Sequence, residues 1–66
     1  MKNTLKVERA KLDITQQQLA DIVGVSRQTI NSIEADRYVP STVLAIKISD
    51  VFKTTVNAIF NLEEED

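Results

Sequence analysis

A chain of 66 residues with no cysteine and no histidine has few ways to hold a fold together. A domain of this size buries only about 60% of the surface its unfolded chain exposes, so small folds commonly add disulfides or a structural metal. Both routes are closed here, as are thiol and imidazole catalysis. What remains is close helix packing, association with a second copy, or both. The length allows one domain. No apolar run approaches the roughly 18 residues of a membrane span, and no signal-peptide core is visible. The expected setting is the cytoplasm, with no membrane partner.

The formal net charge of −2 counts at first sight against nucleic acid, whose binders are typically basic. Its distribution weakens that objection. Four of the ten acids are the last four residues, Glu63, Glu64, Glu65 and Asp66, leaving eight basic against six acidic side chains over residues 1–62, a balance of +2. The expected division is a folded body, residues 1–62, and an acidic tail, residues 63–66. Such a tail reads as a solvated, frayed end, or as a device that repels wrong anionic partners.

Helical segments with clear punctuation fill the body. Leu5 and Leu12 mark the stripe of a first helix from Thr4 to Leu12, which Asp13 can end in a left-handed conformation. Thr15-Gln16-Gln17-Gln18 has the form of a capping box, and Leu19, Ala20 and Val23 supply the buried face that follows. Gly24, the only glycine, stands where a helix C-terminus wants a residue free of Cβ strain. Ser26 caps a third helix from Arg27 to Ala35. Asp36 to Pro40 is a loop, and Ser41 caps a fourth helix running to about Phe52, with Leu44, Ile48, Val51 and Phe52 on one stripe. Thr55 opens a last turn in which Val56, Ile59 and Phe60 close the core. The fold class is all-α, a compact five-helix domain, with Lys2–Thr4 and Ile59–Leu62 as candidates for a short β ribbon.

The informative stretch is Gln16 to Ala35, a helix, a glycine turn and a helix. In the second of these helices Ile30 and Ile33 form the apolar stripe. Arg27, Gln28, Asn31 and Ser32 follow i, i+1, i+4, i+5 spacing and point another way. Arginine can donate two parallel hydrogen bonds to guanine O6 and N7, Asn and Gln can bond N6 and N7 of adenine, and a threonine methyl can touch a thymine methyl. Solvated helix faces ordinarily favour Lys and Glu, whereas Gln28, Thr29, Asn31 and Ser32 are neutral hydrogen-bonding groups. The alternative is a polar face of unremarkable composition. Gln16 opens its helix, where free N–H groups and the positive dipole end can meet a phosphate; Gln17 is either a neighbouring contact or simply exposed. Arg37 and Tyr38 lie just past the reading helix. Each is a backbone-phosphate contact or a surface residue, and the Tyr38 ring could also pack on the core.

One charged pair reads as structural. Arg9 falls on the stripe of Leu5 and Leu12, and Glu34 on that of Ile30 and Ile33. A charge facing a core is costly unless paired, so the two are expected to pair across the first and third helices. Neither is counted as a DNA contact.

Ile14-Thr15-Gln16-Gln17-Gln18-Leu19-Ala20, Gly24-Val25-Ser26-Arg27-Gln28-Thr29-Ile30-Asn31 and Ile33-Glu34 resemble the phage-repressor helix-turn-helix family, also known by Cro and by the xenobiotic-response element. The resemblance continues through Arg37-Tyr38-Val39-Pro40-Ser41 and Leu44-Ala45-Ile46-Lys47-Ile48. It is greatest to short stand-alone bacterial and archaeal regulators, the cytolysin-gene repressor among them. It implies a five-helix domain that binds duplex DNA as a homodimer, with Arg27, Gln28 and Asn31 as base readers and Thr29 and Ser32 nearby. It also implies that Gln16 supports the reading helix and that Arg9 pairs with Glu34. Two positions depart from the family's pattern: Asp36 and Lys53 stand where many members carry Gly or, at the first, Asn. Both need left-handed geometry, mildly unfavourable for these residues.

The expectation is therefore a sequence-specific transcription regulator, a repressor reading a palindrome, with double-stranded DNA and a second copy of itself as partners. Its dimer seam is expected around Asn57, Ile59, Phe60 and Leu62. No cofactor, metal or small-molecule ligand is expected, and no catalysis: the glycine is a helix cap, and no carboxylate pair is evident. The alternative is a protein-binding module such as an antitoxin, which shares the fold.

Overall fold

In the computed structural model, which describes residues 1–66, the elements run β1 (Lys2–Asn3), α1 (Leu5–Leu12), α2 (Gln16–Val23), α3 (Arg27–Glu34), α4 (Thr42–Val51), α5 (Val56–Ile59) and β2 (Phe60–Asn61). Helices this short are marginal in water on their own. Their ends are therefore closed by side chains. Thr15 Oγ1 accepts the Gln18 N–H at 3.0 Å while Gln18 Oε1 accepts the Thr15 N–H at 2.8 Å, a complete capping box. Ser26, Ser41 and Thr55 each accept the N–H three residues on. Each such cap is worth about 1 kcal/mol.

Four residues turn the chain with positive φ: Asp13 at 55°, Gly24 at 79°, Asp36 at 61° and Lys53 at 52°. The two departures from the family's pattern, Asp36 and Lys53, thus do occupy the left-handed region. The helices end slightly earlier than expected, α3 at Glu34 with Ala35 as its cap and α4 at Val51 with Phe52 as its cap.

The core draws on every helix: Leu5, Leu19, Ile30, Ile33, Ile48 and Ile59 are almost wholly withdrawn from solvent. Leu12 does not join them and remains 51% exposed. Helix α1 is about two turns long, and beyond Leu5 its inner side is taken by Arg9, which reaches the Ile14 carbonyl. Ile14 then packs on the core instead. Val51, Phe52 and Val56 are half-buried at the core's edge.

The ribbon at the termini forms. β1 and β2 pair antiparallel, Lys2 with Asn61 and Asn3 with Phe60, and the Thr4 N–H extends the join to the Ile59 carbonyl at 2.9 Å. This pairing also brings the chain ends together, and Glu63 and Asp66 meet the N-terminus while Glu64 and Glu65 stay exposed. The Met1 amino group lies 3.1 Å from Asp66 and 3.3 Å from Glu63, and Asp66 accepts the Glu63 N–H at 2.8 Å. That backbone hydrogen bond, with the nearby amine, holds the Asp66 carboxyl below its ordinary range. No helix is long and apolar enough to cross a membrane.

Candidate nucleic-acid interface

The roll of α3 is set by Ile30 and Ile33, whose burial turns Arg27, Gln28 and Asn31 outward. Thr29 and Ser32 are half-buried on its flank. At its start Ser26 Oγ accepts the Thr29 N–H at 3.2 Å and also meets the Thr29 hydroxyl at 3.0 Å, so that side chain is fixed by the cap. Two shallow polar concavities flank the helix. One is lined by Ser26, Gln28, Thr29, Ser32, Arg37 and Tyr38. The other lies against the start of α2, with Thr15, Gln16, Gln17, Arg9 and Arg27 among its residues.

At that start the capping box engages Thr15 and Gln18 and leaves the N–H groups of Gln16 and Gln17 facing outward with the positive end of the helix dipole. A helix start of this kind can receive a phosphate. The two side chains do different things. Gln17 is exposed and donates to Asp21 at 2.8 Å. Gln16 is half-buried and donates to Glu34 Oε1 at 3.1 Å, joining the first turn of α2 to the last of α3.

Glu34 is the hub of that joint. Arg9 Nε donates to its Oε2 at 2.6 Å and Arg9 Nη2 to its Oε1 at 3.0 Å, a two-pronged pair whose side chains are 14% and 7% exposed. Arg9 Nη1 spends its remaining reach on the Ile14 carbonyl at 3.0 Å. Burial opposes ionisation of Glu34. The hydrogen bonds from Arg9 and Gln16, and the charges of Arg9 and Lys6, outweigh it and hold the carboxyl below its ordinary value. The pair therefore braces α1, α2 and α3, with only a small part of Arg9 open to solvent.

Asn3 belongs to the same support and was not singled out from the sequence. Its Nδ2 donates to the Ile33 carbonyl at 2.7 Å and to Asp36 at 3.0 Å, and its Oδ1 accepts the Leu5 N–H at 3.1 Å. It thereby caps the end of α3 and the start of α1 together, in place of Thr4, which makes no side-chain cap bond. The signal was an Asn two residues before an apolar helix start, in a segment that reads only as a strand candidate.

Past α3, Arg37 and Tyr38 are both exposed, and Tyr38, 48% exposed, is not sunk in the core. Arg37 Nη2 donates back to Asn31 Oδ1 at 3.0 Å. The residues of the expected seam divide. Ile59 is fully buried inside its own chain, and Phe60 is 7% exposed, because both complete the protomer's core. Ile59 therefore cannot line a contact with a second copy. Asn57 and Leu62 do stand outside, Leu62 at 81% exposure, beside a groove that also takes in Met1, Val56 and an edge of Phe60. No three acidic side chains converge where a cation could sit.

The pattern that defines the helix-turn-helix family matches residues 5–59. The chain is 46% identical over 66 residues to the uncharacterized HTH-type transcriptional regulator YgzD of Bacillus subtilis, with the whole of both chains covered. It is 47% identical over 66 residues to an uncharacterized HTH-type transcriptional regulator of Methanocaldococcus jannaschii, again over the whole of both chains. A third, from Archaeoglobus fulgidus, is 44% identical over 66 residues, covering all of this chain and 93% of that one.

Proposed function

This chain belongs to the Cro-type helix-turn-helix family, a DNA-binding transcription regulator and not an enzyme, and from that premise we propose that it is a repressor that reads a palindromic operator as a homodimer. The observation that carries the reading is the outward face of α3, with Arg27, Gln28 and Asn31 exposed on a helix whose other side is locked into the core. In this reading α3 enters the major groove. Arg27, Gln28 and Asn31 meet base edges, and Thr29 and Ser32 lie against the groove wall. The free N–H groups of Gln16 and Gln17, with Arg37 and Tyr38 on the other flank, hold the two phosphate strands.

The longest dimension of the chain is 31 Å, so one copy spans about one half-site. Half-sites in such operators lie about 34 Å apart, which calls for a second copy. The proposed seam is the face of Asn57 and Leu62 with the groove beside them, where the most exposed large apolar side chain of the molecule stands. A promoter occupied by the dimer is closed to polymerase. In this reading the folded body is residues 1–62, and residues 63–66 are an acidic tail that takes no part in base readout.

Selection of bound sequences from a random duplex pool tests this directly. The expected product is a short palindrome, and a pool without enrichment would refute sequence-specific binding. Arg27→Ala and Gln28→Ala should each lose about 1–3 kcal/mol of discrimination against wrong bases. Equal weakening on operator and random DNA would instead make them backbone contacts.

A further inference from the structure

The amide of Asn31 is engaged before any DNA arrives. Arg37 Nη2 donates to Asn31 Oδ1 at 3.0 Å, and both residues are exposed on the reading side of the molecule. A guanidinium has only donors, so the amide atom facing it is the oxygen and the orientation of Asn31 follows from chemistry. Arg37 is well held for this task. Its backbone N–H donates to the Ser32 carbonyl at 2.9 Å, and the preceding Asp36, at φ 61°, is tied by Asn3. No carboxylate pairs with its charge.

An unengaged asparagine offers one donor and one acceptor, which matches N7 and the N6 amine of adenine. Asn31 does not. Its oxygen serves Arg37, and the second lone pair of that oxygen lies beside a cation whose N–H groups oppose an incoming amine. What the two residues present together is donors alone: the Nδ2 hydrogens of Asn31 and the unused N–H groups of Arg37. In the major groove guanine carries two adjacent acceptors, N7 and O6, and no donor; adenine sets a donor beside its acceptor. Resting on the proposal that α3 reads the major groove, we infer that Asn31 and Arg37 act as one unit selecting guanine over adenine at the base pair Asn31 meets. Arg37 is then a specificity-determining residue and not only a phosphate contact.

The test is selection from a random duplex pool with the full chain in three forms: wild type, Asn31→Ala and Arg37→Ala. The position at which Asn31→Ala loses its preference is the one Asn31 reads. If Asn31→Ala binds too weakly to select, direct titration at low salt with 7-deazapurines, which lack the N7 acceptor, locates it as the position whose replacement weakens the wild type but not Asn31→Ala. The wild type is expected to choose guanine there, and Arg37→Ala to move the guanine-to-adenine ratio roughly tenfold towards adenine, since freeing Oδ1 restores the adenine pattern. Adenine chosen by the wild type would overturn the inference and leave the DNA-binding proposal standing. So would Arg37→Ala weakening all sequences equally with an unchanged preference. A wild type that enriches nothing would overturn the underlying proposal, and this inference with it.

Discussion

Single residues carry unequal weight in this molecule, and their roles separate by how they would fail. Glu34 sits 7% exposed between Arg9 and Gln16, so Glu34→Ala leaves Arg9 without its counter-charge. A loss of about 3 kcal/mol is expected in chemical denaturation, typical of a buried pair broken on one side. The pH dependence follows from the depressed carboxyl of Glu34. Its contribution to stability is complete above the ordinary glutamate range, about 4.3, and drains away as pH falls through the lower folded-state value. Glu34→Gln should therefore be less stable than wild type at neutral pH, with the gap narrowing on acidification below about pH 4. Lys53 shows the opposite opportunity. It holds φ 52° at the end of α4 and is exposed, so Lys53→Gly should raise stability by roughly 0.5–1 kcal/mol. The Arg9–Glu34 contact could be anticipated because two charges on core-facing stripes have only each other to turn to. Asn3 could not, because its three partners lie in α1, at the end of α3 and in the following loop, which no local pattern brings together.

Among the elements, the joint between α2 and α3 sets how the proposed reading face is presented. Gly24 makes the turn at φ 79°, and a Cβ built on it would meet nothing within 4 Å. Gly24→Ala is thus limited by backbone conformation alone, and a loss of about 1 kcal/mol is expected in a thermal or denaturant melt, with Gly24→Asn milder. A much larger loss would mean the turn shifts. Caps and turns were the most legible part of the chain: Thr15, Ser26, Ser41 and Thr55 each act within four residues of themselves, so local sequence states their bonding. Stripes were less so. Leu12 follows the period of α1 yet stays exposed, because periodicity says which residues share a side and not where a neighbouring helix stops. The reading face lay between these cases. Its outward direction follows from Ile30 and Ile33, but the bond from Arg37 to Asn31 depends on the path of a loop turned by Asp36.

At the scale of the whole molecule, the sum of the charges says little and their placement much. The N-terminal amine is drawn to Glu63 and Asp66, at the ribbon end of the chain. In the proposed dimer each copy brings Arg27 and Arg37 to the DNA, so operator affinity should fall between about 50 and 200 mM salt, and Arg37→Ala should flatten that slope by about two, one for each copy. A salt-independent affinity would contradict phosphate contact. The proposed seam was the least legible feature, since a row of apolar residues near Leu62 serves the chain's own core before any partner's, and Ile59 shows which use prevails. Leu62→Glu is expected to leave the melt of the protomer nearly unchanged and to shift sedimentation towards the monomer at micromolar concentration.

The ribbon has a consequence for the order in which the protein comes into being. Asn3 secures the far end of α3, but the strand that steadies it, Phe60–Asn61, is made only after α3, α4 and α5. On the ribosome that clasp closes only after β2 has emerged. A nascent chain thus carries α3 before the ribbon can brace the residue that holds the end of that helix.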